Sequence, residues 1–160
     1  MTTNYSNADS ILKYHKFELG IRIPIDIQNR VDQFLFQEGL YATELNPFLE
    51  WDLDIELHYI HLKSGLKKHV DAFYYREYFE NEETDDWDPI ETPYPFRARI
   101  APSEIGVWSA FMLVKVKNQP VFKSDSFEFN VVESENPGYV KVHSNNRNLV
   151  RGNELIFPIG

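Results

Sequence analysis

Between Leu53 and Tyr59 the chain alternates without a fault: Leu53, Ile55, Leu57 and Tyr59 are apolar or aromatic, and Asp54, Glu56 and His58 stand between them. A repeat of two belongs to an extended strand with one face in a core and the other in water; a helix cannot bury it. The same alternation runs through Phe17, Leu19, Ile21 and Ile23. Pro24 has no amide hydrogen to give to a ladder and predicts an edge or a bend there. Further strands are expected over 70–79, 94–100, 107–116 and 122–132. The segment 70–79 should pair antiparallel with 53–59 across a turn at 63–68, and the last two strands should join around Asn118-Gln119-Pro120. Asn46-Pro47 and Pro102 to Gly106 supply two more turns. Gly106 permits a sharp turn before the strand, after which Trp108 points inward as a large core anchor. Short strands punctuated by turns, with little helix, define an all-β sandwich or barrel.

Two stretches depart from that pattern. Val31, Phe34 and Leu35 have helical spacing, which predicts one short helix near the N-terminus within 26–40. Beyond Glu133, Asn136-Pro137-Gly138 is a strong turn, 139–143 reads as a strand, Arg151-Gly152-Asn153 as a tight turn and 155–159 as a second apolar strand. The expectation is a C-terminal β-hairpin extension. An apolar strand that stops at Gly160 leaves an edge inviting association, so a further segment is expected to follow it.

Charge narrows the partners. Lys and Arg number 16 against 25 Asp and Glu, a formal charge of −9. That sign disfavours nucleic acid and anionic membrane surfaces. No stretch has the apolar length of a transmembrane helix, so no membrane insertion is expected. The first residues carry neither a basic cluster nor an apolar run, so no signal peptide is read there. Without cysteine, thiolate metal sites and thiol nucleophiles are closed.

Candidate chemistry is sparse. Asp52, Asp54 and Glu56 recur at every second position and read as a solvated strand face, not as a glycosidase pair. The stretch Glu80 to Asp88 holds six acidic residues in nine. It lacks the spacing of a calcium loop and reads as a mobile charged loop. His58 and His61 are three apart on a strand and so fall on opposite faces. No catalytic, metal or cofactor site is therefore expected. Of Tyr74, Tyr75, Tyr78, Trp87 and Tyr94, those that point outward can stack on sugar rings; Tyr75, Tyr78, Trp87 and Tyr94 are the candidate ligand-binding set.

In order, Asn46-Pro47-Phe48, the alternating strand, Ala72-Phe73-Tyr74-Tyr75, Phe96 to Pro102, Glu104-Ile105-Gly106-Val107-Trp108, Phe127-Glu128-Phe129 and Asn136 to Val142 resemble a known family. It is the immunoglobulin-like domain of unknown function that precedes glycoside hydrolase barrels in bacteria, notably Bacteroidetes. The resemblance covers about residues 46 to 160 and implies an immunoglobulin-like antiparallel sandwich over 13–134, with 1–12 a disordered leader and 135–160 a hairpin linking to a catalytic domain. In that family the segment similar to Leu155 to Gly160 leads into the first barrel strand. The implied function is a non-catalytic spacer of a glycoside hydrolase located in the periplasm, on the cell surface or outside the cell. Its implied partner is the downstream catalytic barrel, contacted through Tyr139, Val140, Val142, Leu155, Phe157 and Ile159. The alternatives are a carbohydrate-binding module with polysaccharide as partner, and a cell-surface adhesion domain.

Overall fold

A computed structural model describes residues 10–36, 43–90, 92–144 and 147–156. The first half holds β1 (Ile11–Leu12), β2 (Phe17–Ile21), α1 (Ile25–Phe36), β3 (Leu53–His61), β4 (Lys67–Asp71), β5 (Phe73–Tyr74) and β6 (Glu77–Asn81). The second holds β7 (Asp86–Ile90), β8 (Phe96–Ile100), β9 (Gly106–Val116), β10 (Gln119–Lys123) and β11 (Phe127–Val132). Three short strands close the series: β12 (Val140–Val142), β13 (Leu149–Arg151) and β14 (Glu154–Ile156).

The larger sheet runs β1-β11-β9-β3-β4, with β10 continuing the β11 side of β9, and the smaller runs β2-β8-β5. Within these two sheets every pairing is antiparallel except that of β1 with β11. The fold is thus all-β and sandwich-like, with strands exchanged between two antiparallel sheets in the immunoglobulin manner. The alternation seen in sequence does what it should. Leu53, Ile55, Leu57 and Tyr59 of β3 are buried together with Trp108, Ala110, Met112 and Val114 of β9. From the opposite layer Leu19, Ile21, Phe96, Ala98 and Ile100 join the same core.

Trp108 is the largest fully buried side chain. Its indole N–H donates to the Glu104 carbonyl at 3.0 Å, which removes the penalty of burying a polar atom. Gly106 sets this up. Its φ is +121°, and a Cβ there would sit 3.0 Å from His61 Nε2, so the expected sharp turn before an inward Trp108 is realised.

The short helix is also present. Ile27 and Val31 are buried and Leu35 packs beside them, one stripe at every fourth residue that seals the side of the sandwich. After the helix the chain folds back on it, where the Leu45 amide donates to the Arg30 carbonyl at 3.0 Å.

Several expectations need correction. The strand expected over 70–79 is three strands. At Ala72 the chain leaves β3 and crosses to the other sheet: the Ala72 amide still donates to Ile55, whereas the Tyr75 amide donates to Pro95. Aromatic residues at consecutive positions 73, 74 and 75 gave no one-sided alternation to hold a single strand together. The acidic stretch 80–88 is not a loose loop. It forms the β6–β7 hairpin, turned by Asn81, whose side chain accepts from the Glu83 amide at 3.1 Å, and by Asp85 at φ +55°. Segment 122–132 breaks after Lys123, and both β10 and β11 lie along β9. The C-terminal extension is a three-stranded sheet, because Leu149 to Arg151 insert between the two expected strands. Of the expected leader, residues 1–9 lie outside the described residues, and Ile11 and Leu12 form β1. Phe157 and Ile159 also lie outside them. No helix among the described residues is long and apolar enough to cross a membrane.

Candidate functional site

A cleft of about 910 Å³ lies between α1 and the β6–β7 hairpin. Helix α1 contributes Ile25, Gln28, Asp32 and Phe36, a second stripe that faces away from Ile27 and Val31. The end of β5 brings Tyr74, Tyr75 and Arg76, and β7 brings Pro89 and Ile90. Arg22, Thr92, Pro93 and Pro95 close the remaining side.

Charges in the cleft are arranged by ring stacking. The Arg76 guanidinium carbon lies 5.0 Å from the Phe36 ring centre and 5.6 Å from that of Tyr78. Arg22 lies 5.3 Å from the Tyr94 ring, and its Nε donates to the Pro93 carbonyl at 3.3 Å. Asp32 accepts from the side-chain Nε2 of Gln28 at 2.8 Å. Burial pushes the Tyr74 phenol up; the Asp32 carboxylate adds to that, and Arg76 opposes it.

The four tyrosine and tryptophan candidates do not form one platform. Tyr75 lines the cleft, with the Arg97 guanidinium 4.4 Å from its ring centre. Tyr78 and Trp87 share one face of the β6–β7 ribbon, by the pairing of Tyr78 with Pro89 and Glu80 with Trp87. They are 47% and 63% exposed, so both rings are open to a ligand. Tyr94 serves packing: a Cβ at Gly20 would lie 2.9 Å from its side chain, which is why a glycine stands there. Sequence reasoning missed Phe36, Arg22, Arg76 and the outer helix stripe. The spacing of 25, 28, 32 and 36 was available as a signal, but a mixed polar and apolar stripe looks like ordinary helix surface.

The carboxylates of β3 behave otherwise than expected. Asp54 is only 7% exposed, not wet. The Lys115 ammonium donates to Asp54 at 2.9 Å and also to Glu56, while His58 Nε2 lies 2.6 Å from Glu56. Burial raises the Glu56 carboxyl, but the bonds from Lys115 and His58 outweigh it and leave the group below its ordinary range. Lys115 is raised in turn, first by its bond to Glu56. Oxygens of Asp54, Glu56 and Asp71 approach within 4.8 Å of one another, but two of the three are already paired with Lys115. Asp52 lies before β3 and accepts from the Asn46 amide at 2.7 Å.

The two histidines separate as expected. His58 stacks on Phe111 at 5.0 Å on the outer face, and His61 is buried against Trp108. His61 Nδ1 meets Glu104 at 2.6 Å and Ser64 at 2.8 Å, while the Ile105 carbonyl lies 3.0 Å from Nε2. A serine and an acid at one ring nitrogen, with the other against a carbonyl, cannot relay a proton as a hydrolase triad does.

The C-terminal sheet carries the other candidates. Val140 and Val142 share one face with Leu149 and Ile156; Leu155 lies on the opposite face with Lys141 and Val150. Val140, Val142 and Leu155 are 51%, 63% and 48% exposed. Tyr139 instead grips the sandwich: its hydroxyl donates to the Ala101 carbonyl and its ring meets Tyr14 edge-on at 5.2 Å.

An all-β sandwich with an aromatic, arginine-bearing cleft and an appended small sheet is the class of domain that these observations define. No family model matches the chain, and no curated protein matches it in sequence. Among solved structures it is similar to part of a candidate glycoside hydrolase from Bacteroides vulgatus, at 19% identity and a TM-score of 0.49. The match covers 91% of this chain and 20% of that one, so the chain spans about a fifth of that protein's length.

Proposed function

We propose that this chain is a non-catalytic accessory domain of a larger, exported carbohydrate-active enzyme, a glycoside hydrolase, and that it packs against the catalytic barrel through its C-terminal sheet. The observation that carries this reading is the exposure of Val140 and Val142 on one face of β12–β14 and of Leu155 on the other. Apolar side chains on a small sheet whose ladder pairs only its own three strands are stabilised when a second body covers them. The ordered motifs from Asn46 to Val142 support the same reading by resemblance. Acid–base hydrolysis of a glycoside requires two carboxylates facing a shared space. Among the described residues the cleft is lined by one, Asp32, and it is already bonded to Gln28.

Hydrogen exchange tests the assignment. In the polypeptide that includes the barrel, amides of 140–142 and 149–156 should exchange at least tenfold more slowly than in the isolated chain. Equal rates in the two, a coding sequence with no catalytic barrel after Gly160, or glycan hydrolysis by the isolated chain would overturn it.

A further inference from the structure

We propose that the cleft between α1 and the β6–β7 ribbon binds an acidic oligosaccharide, with Arg76 and Arg22 taking the ring carboxylates and the flat side chains of the wall taking the sugar faces. This goes beyond a spacer role and stands or falls separately from it.

The first argument is the state of the two arginines. Arg97 and Arg99 are paired with Glu18, and Lys115 with Asp54 and Glu56. Arg76 and Arg22 make no salt bridge with a carboxylate among the described residues, although acids outnumber bases 25 to 16 in this chain. Each is instead held over aromatic rings, Arg76 over Phe36 and Tyr78, Arg22 over Tyr94. Among the described residues Arg76 keeps its N–H groups unspent, while Arg22, whose Nε donates to the Pro93 carbonyl, keeps its two terminal nitrogens; each can still offer a pair of N–H donors to a carboxylate. Among the described residues two guanidiniums face the single Asp32 carboxylate, so this part of the lining is cationic on an acidic molecule.

The second argument is the wall. Phe36, Tyr74, Pro89 and Pro93 offer rigid apolar faces, and Tyr78 and Trp87 extend them along the ribbon. Pyranose rings present flat CH faces to such surfaces with little ordering of flexible side chains. An acidic peptide fits less well. A peptide laid along a wall needs backbone N–H groups for its carbonyls. Pro89, Pro93 and Pro95 remove three of them. The formal charge of −9 also opposes long polyanions, so a short acidic glycan or a chain end is the occupant.

Calorimetric titration of the isolated chain tests this with oligomers of galacturonate, of mannuronate and of hyaluronan. Maltotriose and tetraglutamate are the comparators. At least one acidic oligosaccharide should bind, at least about tenfold more tightly than maltotriose, and several-fold more weakly when salt rises from about 20 to 200 mM. Arg76→Met and Arg22→Met should each cost roughly tenfold, and Arg76→Lys, which keeps the charge but not the fork, should fall between. Should either Met variant melt early, Trp87→Ala and Tyr78→Ala serve in its place, each with an expected several-fold loss. No heat with any acidic sugar at about 5 mM overturns the proposal, as does equal affinity for maltotriose. Tetraglutamate binding as tightly as the sugars, with the same Arg76→Met loss, would make the cleft a peptide site and overturn it as well.

Discussion

At the scale of single residues, the decisive contacts surround His61. It is a buried polar ring in an apolar layer, and it is tolerated because both nitrogens meet partners: Glu104 and Ser64 on one side, the Ile105 carbonyl on the other. Gly106 leaves room for that ring. Gly106→Ala introduces a Cβ 3.0 Å from His61 Nε2 at a backbone φ of +121°. It should destabilise the domain by about 1–3 kcal/mol in urea unfolding; a change within experimental error would refute the packing argument. The acid side of the stability profile follows from the carboxylates. For Glu18, burial raises the carboxyl, but the bonds and charges of Arg99 and Arg97 prevail and leave it below the ordinary value of 4.5. Glu56 behaves likewise through Lys115 and His58. A group depressed in the fold contributes stability at neutral pH, which is lost as pH falls below the unfolded value towards the folded one. The melting temperature should therefore hold above about pH 5 and drop as pH falls below the unfolded value of 4.5, and Glu56→Gln should shallow that drop.

At the scale of elements, α1 has two working faces. Val31 is fully buried, so Val31→Ala should cost about 2 kcal/mol, whereas Gln28→Ala on the cleft stripe should stay within about 0.5 kcal/mol. Comparable losses at the two positions would mean that the helix is packed on both sides. The buried face was legible in the spacing of Val31 and its neighbours, as were β2, β3 and the turn before Trp108, because in each the pattern has one clear side. What escaped was of another kind. The crossing at Ala72 depends on which sheet Phe73 and Tyr74 enter, and a run of adjacent aromatics is equally apolar on both faces. The β6–β7 hairpin was hidden because its turn chemistry, Asn81 and Asp85, sits inside a charge run that by itself argues for a mobile loop. Strand β13 is three residues long, too short for a period to show. Of the residues lining the cleft, only Tyr75 stood in the candidate set; its meeting with Arg22, Arg76 and Phe36 is a product of long-range folding.

At the scale of the whole molecule, the sandwich and the small C-terminal sheet depend on different contacts. The former has its own continuous core, whereas the latter is moored by Tyr139 on Ala101 and by Arg151, which donates to the Gly138 carbonyl at 3.0 Å and to the Asn136 side chain at 2.9 Å. Replacing Val142 by Thr should leave the melting temperature of the isolated chain unchanged within about 2 °C, because that side chain is 63% exposed. In a polypeptide that carries the proposed barrel the same change should lower the protection of residues 140–142 and 149–156; a large loss of stability in the isolated chain would instead make Val142 part of this domain's own core.

The parallel pairing of β1 with β11 has a mechanical consequence. Lys13 donates its amide to Val132, Ser134 donates its hydroxyl to Lys13, and Asn136 donates to Tyr14, so the two segments run side by side like the halves of a zip fastener laid along the line of pull. Tension applied between residue 10 and residue 139 would load those bonds in shear, where they must fail together, and not peel them one at a time. A tether seized at opposite ends would therefore yield abruptly and late.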